Sequence, residues 1–172
     1  MKWIAILIAV TVLAVSQADA GEALHGKLLA GTEGALIKAG GAKADASAIK
    51  QKKYLFIYFS AHWCPPCRKF TPMLVEFYNA HKAKGDFELL FVSSDKDQAA
   101  MNGYMTETKM PWLGLSLSCK RGEALGGQFG VTGIPCLVLL DDKDNVLASS
   151  FKGKDYQGPQ VALEKYEALH KK

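Results

Sequence analysis

Two short runs of consecutive apolar residues dominate the middle of the 172-residue chain, at 54–59 (YLFIYF) and 87–92 (FELLFV). Runs this short, with almost no polar alternation, are expected of strands covered on both faces. Between them the period changes. Phe70, Leu74, Phe77, Tyr78 and His81 recur at helical spacing, with Arg68, Lys69, Glu76 and Lys82 elsewhere, which predicts an amphipathic helix over residues 67–83. Pro72 falls inside it and is expected to kink it. Lys82, Lys84 and then Gly85 mark its end.

The flanks read less sharply. Residues 21–53 are rich in Ala, Gly and Lys; 24–29 is expected as a short first strand and 46–50 as a helical turn. Beyond the second apolar run, 95–105 reads as a helix interrupted by Gly103, 110–117 as an extended stretch and 123–129 as a short helix. A strand at 136–140, a polar turn at 141–145 and a returning strand at 146–151 form a hairpin. Gly158 and Pro159 open a last helix with Leu163, Tyr166 and His170 on one face. Strands alternating with helices, then a hairpin and a helix, define an α/β fold: a central mixed β-sheet flanked by helices on both faces. No internal repeat is present.

The first twenty residues have a different character. Lys2 precedes an apolar stretch from Trp3 to Val15, and Ala18-Asp19-Ala20 places small residues where a signal peptidase reads them. Residues 1–20 are therefore expected to be a signal peptide and 21–172 the exported domain, periplasmic or secreted. The apolar stretch is shorter than the ~20 residues of a spanning helix, so no stable membrane insertion is expected after cleavage. Lys2 and Asp19 leave together, so the net charge of +4 is retained. Apolar and charged fractions of 49% and 22% are ordinary for a folded soluble protein. No dense basic patch is interleaved with aromatics, which argues against a nucleic-acid partner. Lys50, Lys52 and Lys53 read as a solvated loop or a docking patch.

Candidate chemistry sits just after the first apolar run, at Trp63-Cys64-Pro65-Pro66-Cys67-Arg68. Two cysteines separated by two residues can close a disulfide on the first turn of a helix. That position offers unpaired N–H groups and a partial positive charge, which stabilise a thiolate. Cys64 is then the attacking sulfur and Cys67 the resolving one. The competing reading is half of a metal site, with His62 as a further ligand, in a metallochaperone module. It lacks a second Cys-x-x-Cys, since Cys119 and Cys136 stand apart. No organic cofactor or metal is expected. His62 is expected either to favour the thiolate as an imidazolium or to be an ordinary loop histidine. Trp112 reads equally as site wall or core. Cys136 is expected as an inert buried thiol; a third redox cysteine or a Cys119–Cys136 bridge is the alternative.

Several strings together resemble a known family. CPPC before a Pro-containing helix, with FGVTGIP at 129–135 before a strand, resembles the thioredoxin fold. YFSAHWCPPCR at 58–68, FTP at 70–72 and MPWL at 110–113 are similar to its tryparedoxin and nucleoredoxin branch. The resemblance spans about residues 50–151. It implies a thiol–disulfide oxidoreductase reducing protein or small-molecule disulfides, with an upstream dithiol donor. An oxidase or isomerase running in the opposite direction is the alternative, because the motif does not fix the direction. It also implies a cis Ile134–Pro135 bond beside Cys64, with Trp63, Pro65, Ile134 and Pro135 facing substrate. Where thioredoxins carry a buried Asp six residues before the first cysteine, this chain has Tyr58, so no catalytic carboxylate is carried over. The leader also departs from a branch whose members are mostly intracellular, and is similar in setting to periplasmic thioredoxin-like reductases.

Overall fold

The computed structural model describes residues 24–171; the expected signal peptide lies outside them. In chain order the elements are β1 (Leu36–Ile37), β2 (Lys43–Ala44), α1 (Ser47–Lys50), β3 (Tyr54–Ser60), α2 (Pro65–His81), β4 (Phe87–Ser93), α3 (Gln98–Glu107), β5 (Leu113–Leu115), α4 (Arg121–Gln128), β6 (Cys136–Leu140), β7 (Val146–Ser149), β8 (Phe151–Lys152), β9 (Asp155–Tyr156) and α5 (Gln160–His170). Seven strands form one sheet in the order β2-β1-β5-β4-β3-β6-β7, and β8 pairs with β9 separately. The β5-β4-β3 core is parallel, β1 and β6 flank it antiparallel, and β7 pairs antiparallel with β6 at the edge. The expected mixed sheet is present.

The uninterrupted apolar run of β3 has its explanation in the sheet's two covered faces. Tyr54, Phe56 and Tyr58 point into one cluster, with Phe70 and Leu74 of α2, Met101, Tyr104 and Met105 of α3, and Ala162 and Tyr166 of α5. Leu55, Ile57 and Phe59 point into the other, with Ile49 of α1, Leu125 of α4 and the loop residues Leu28 and Leu29. Each buried Leu or Phe side chain contributes about 1.5–3 kcal/mol relative to an exposed one. Trp112 belongs to the first cluster, edge-on to Tyr78 with ring centroids 5.5 Å apart. It is core and not a site wall.

Some boundaries depart from the pattern. Residues 24–29 form turns, not a strand: the Leu29 N–H bonds the His25 carbonyl at 2.9 Å, and His25 sits at φ 59°. Leu28 and Leu29 are adjacent apolar residues, and a coil buries both where an alternating strand would bury one. The first strands are instead β1 and β2, two residues each. Helix α2 starts two residues earlier than expected, at Pro65, because prolines cost nothing at its first positions, where the N–H groups have no intrahelical acceptor. It runs through Pro72, then a 3-10 turn over Lys82–Lys84 ends at Gly85 with φ 70°, a left-handed conformation that glycine adopts without strain. Helix α3 begins after Asp97, whose carboxylate accepts the Ala100 N–H at 2.8 Å.

The expected strand 146–151 is broken. Ser150 turns inward, its hydroxyl accepting the Leu137 N–H at 2.7 Å, and the chain swings into the β8–β9 hairpin. Lys52 Nζ donates to the Gly85 carbonyl, and Lys53, exposed, lies over the Tyr54 ring.

Candidate active site

Strand β3 delivers the chain to the site. After Ser60 it makes a tight turn through Ala61, His62 and Trp63, closed by the Cys64 N–H bonding the Ala61 carbonyl at 3.2 Å. Asp95, at the end of β4, fixes this turn from outside. Its carboxylate accepts the His62 N–H at 2.8 Å and the Ser93 hydroxyl at 2.8 Å. The Trp63 indole donates to the Ser94 carbonyl at 3.0 Å, which holds the ring in place while leaving it 63% exposed.

Cys64 is the N-cap of α2. It sits in extended backbone conformation (φ −88°, ψ 108°), and its sulfur accepts the Cys67 N–H at 3.2 Å. Cys64 and Cys67 form a disulfide with Cα atoms 5.2 Å apart. Cys67 is fully buried, and Cys64 retains slight exposure at 4%, so only Cys64 presents an edge to solvent. The Ile134–Pro135 bond is cis, and the Ile134 carbonyl lies 3.8 Å from the Cys64 sulfur. In the disulfide that sulfur has no proton, so this is a packing contact; a reduced Cys64 thiol has the carbonyl as acceptor. Pro65 is exposed on the first turn and Pro135 is buried behind the disulfide.

Behind Cys67, hydroxyls replace a carboxylate. Thr71 donates to the Cys67 carbonyl at 3.0 Å, and its oxygen also meets the hydroxyls of Tyr58 (2.8 Å) and Tyr104. Ser60 bonds Tyr104 at 3.1 Å. With Thr71 donating to the carbonyl, both tyrosines donate to Thr71, and all four hydroxyl protons are used. Burial pushes the Tyr58 phenol far above its ordinary pKa, so it stays protonated and is no base.

His62 does not join the sulfurs. Its Nε2 pairs with Glu107 Oε2 at 3.0 Å and its ring stacks on Tyr104, centroids 5.4 Å apart. That commitment counts against the sulfur–imidazole metal site. Cys136 is fully buried at the start of β6, opposite Phe59 of β3, and burial pushes its thiol up to about 11, so it stays a thiol at neutral pH. Cys119 is also free, its sulfur donating to the Gly31 carbonyl; the two form no bridge.

Thus sequence reasoning placed Cys64, Cys67, Trp63, Pro65, Ile134 and Pro135 at one spot, and they meet there. It missed Ser94, Asp95, Thr71 and Tyr104. Asp95 was read as helix; only its position directly after a buried strand's C-terminal end hints at the site.

This disulfide, capping a helix beside a cis-proline loop at the end of a central strand, defines a class. Residues 51–146 match the thioredoxin-like family model. The chain belongs to the thioredoxin-like family, in its tryparedoxin and nucleoredoxin branch. It is 43% identical over 120 residues to probable nucleoredoxin 1 of Arabidopsis thaliana, covering 69% of this chain and 20% of that protein. It is 38% identical over 112 residues to tryparedoxin of Trypanosoma brucei brucei, covering 64% of this chain and 76% of that protein. Among solved structures, native tryparedoxin I from Crithidia fasciculata superposes with a TM-score of 0.64 at 34% identity, covering 74% of this chain and 86% of that one. The chain spans only a fifth to a third of the length of the nucleoredoxins it matches.

Proposed function

We propose that this chain is a thiol–disulfide oxidoreductase that reduces protein disulfides through Cys64 and Cys67. In the reduced state the Cys64 thiolate attacks one sulfur of a substrate disulfide. A Cys64–substrate disulfide forms and the other substrate sulfur leaves as a thiolate. The Cys67 thiolate then attacks the Cys64 sulfur and releases the second substrate thiolate. Two electrons have passed from the Cys64–Cys67 dithiol to the substrate, leaving the disulfide seen here. An upstream dithiol donor runs the same exchange in reverse to regenerate it.

The observation that carries this reading is the Cys67 N–H aimed at the Cys64 sulfur at a helix N-terminus, with only Cys64 reaching solvent. Backbone N–H groups at that position stabilise a thiolate over a thiol. The exposed Trp63 ring and the Ile134 backbone flank it as a receiving surface for substrate. The test is reduction of insulin disulfides by protein pre-reduced with dithiothreitol and freed of it. One insulin disulfide reduced per Cys64–Cys67 pair supports the reading; no transfer, with the dithiol verified by thiol titration, removes it.

Export belongs to the same proposal. The apolar stretch from Trp3 to Val15 and the Ala18-Asp19-Ala20 site support release of a mature chain starting at Gly21 into a periplasmic or extracellular space. The intact mass of the protein recovered from its producing cells tests this: a start at Gly21 is expected, and an uncleaved Met1 overturns it.

A further inference from the structure

Helix α3 reaches both halves of the dithiol, by two different arms. The inner arm is Tyr104, fully buried, whose hydroxyl meets Thr71; Thr71 in turn donates to the Cys67 carbonyl at 3.0 Å. The outer arm is Glu107, one turn further along the same face. Its Oε2 lies 3.0 Å from Nε2 of His62, the residue two before Cys64. The His62 ring lies on the Tyr104 ring with 26° between their planes. Separately, the His62 backbone N–H is held by Asp95 at 2.8 Å. His62 is thus fastened at its backbone to the end of β4 and at its ring to the end of α3. The turn it belongs to carries Trp63 and Cys64.

Glu107 is the last residue of α3. The helix dipole is negative at that end and disfavours a carboxylate there. The Glu107 side chain is 63% exposed, so burial gives no reason for it either. A residue that breaks a local rule without a local gain points to a role outside its own helix. The support it offers is firm, because Met101, Tyr104 and Met105 of α3 are fully buried in the core.

We propose that His62 is a positioning residue for the Cys64–Cys67 exchange: its Nε2–H donates to Glu107, and this bond clasps the Cys64 turn to α3 and keeps Cys64 within reach of Cys67. This rests on the reductase reading above and adds a residue that acts through Cys64 without joining the reacting sulfurs. The clasp acts on the second step. Attack by Cys64 on a substrate disulfide needs no fixed distance to Cys67. In the second step the Cys67 thiolate attacks Cys64 of the mixed disulfide, the Cys64–Cys67 bond forms and the substrate sulfur leaves as a thiolate. That closure is intramolecular, so it is favoured by sulfurs already held in place. With the clasp open, closure itself has to order the turn, and ordering backbone costs entropy. A half-exposed pair is a weak fastener, which sets the scale of the effect at a few-fold.

The experiment equilibrates the protein with mixtures of reduced and oxidised glutathione at one neutral pH and reads the dithiol and disulfide fractions by acid quench, alkylation and mass analysis. His62→Phe keeps a ring on Tyr104 and removes the donor. Glu107→Ala removes the acceptor at an exposed helix end, and Glu107→Gln removes the charge but keeps an acceptor oxygen. His62→Phe and Glu107→Ala are each expected to lower the equilibrium constant for disulfide formation about threefold, a shift of about 14 mV toward a less reducing potential. Glu107→Gln is expected to recover most of that, and the double variant His62→Phe, Glu107→Ala to shift no further than either single one. The alkylation rate of Cys64 in the reduced protein is expected to stay within about twofold throughout, since the clasp does not alter the thiolate. Equal equilibrium constants in wild type and variants overturn the clasp. So do additive single effects with Glu107→Gln no better than Glu107→Ala, the signature of a charge acting at a distance, and so does an alkylation rate that moves with the potential. Each of these leaves the reductase reading intact, because the wild type still exchanges. A wild-type Cys64–Cys67 pair that does not exchange with glutathione at all removes the reductase reading and the clasp with it.

Discussion

The Cys67 N–H points at the sulfur of Cys64 across 3.2 Å, so the residue that precedes two prolines caps the amide of the one that follows them. Neither Pro65 nor Pro66 has an N–H to compete for that sulfur, and the first amide of the helix able to donate reaches it. In the reduced protein this amide and the helix N-terminus favour the thiolate at Cys64. Cys67 is fully buried, and the Cys136 thiol is pushed up to about 11 by burial. Cys64 is therefore expected to be alkylated first by iodoacetamide at neutral pH. Timed labelling followed by peptide mapping checks this, and earlier labelling of Cys67 or Cys136 reverses the roles assigned.

Thr71 holds the turn of α2 that carries Cys67, and two tyrosine hydroxyls rely on its oxygen. Thr71→Val keeps the shape but leaves the Tyr58 hydroxyl without an acceptor in a dry interior. Stranding a buried donor costs about 1–3 kcal/mol. At about 2–4 °C of melting temperature per kcal/mol for a chain of this size, a mid-range cost of about 2 kcal/mol gives an expected fall of roughly 4–8 °C. Tyr58→Phe removes a donor and strands nothing, because the Thr71 oxygen keeps Tyr104, so its fall is expected to be smaller. Calorimetry on the two variants decides; an equal or reversed order means the network does not have the polarity described.

How much of this was legible beforehand depends on the length scale of the signal. The runs at 54–59 and 87–92 and the period of Phe70, Leu74 and Phe77 fixed the centre of the sheet and its active-site helix, because burial imposes those patterns directly. The strings around Cys64 and Pro135 located the site. What escaped has no period. Strands β1 and β2 have two residues each, too few to alternate. Leu28 and Leu29 are buried by a coil. The break at Ser150 depends on one hydroxyl meeting the Leu137 amide, and Asp95 reaches the His62 amide across 33 positions of sequence. Contacts of that kind exist only once the sheet has formed.

Asp86 fastens the C-terminal helix to the start of β4. Its two oxygens accept from Tyr166 at 2.6 Å and His170 at 2.8 Å. Burial pushes this carboxyl up, but the two hydrogen bonds and the His170 charge outweigh it and hold it below the ordinary range. A depressed pKa in the folded state contributes stability that is fully present above the unfolded value, ~3.9, and is lost as pH falls through the folded one. The urea midpoint of the wild type is expected to fall as pH drops from about 5 toward about 2, with Asp86 a contributor. Asp86→Asn is expected to cost about 1 kcal/mol at pH 6, a figure reduced for its partial exposure, and to show a flatter pH dependence. An unchanged slope in that variant means the tether does not titrate as described.

The order of the two sulfurs gives the sharpest prediction. If Cys64 attacks and Cys67 resolves, Cys67→Ser is expected to stop the reaction halfway, since a serine hydroxyl is a far weaker nucleophile than a thiolate at neutral pH. Incubated with insulin or a disulfide-linked peptide, this variant should accumulate a covalent adduct on Cys64 that runs slowly on a non-reducing gel and disappears with dithiothreitol. Cys64→Ser should trap little, because Cys67 is fully buried behind it. Another thiol in the chain offers a possible escape from the trap. Cys136 immediately follows Pro135, but its side chain enters the cluster on the far face of the sheet with Ile57 and Phe59, and burial keeps it protonated. It is therefore expected not to substitute for Cys67, and adding Cys136→Ser to Cys67→Ser should leave the adduct yield unchanged. A yield that rises in the double variant shows that Cys136 reaches the site and resolves the intermediate. Absence of adduct in both, with the proteins folded, removes the two-step mechanism altogether.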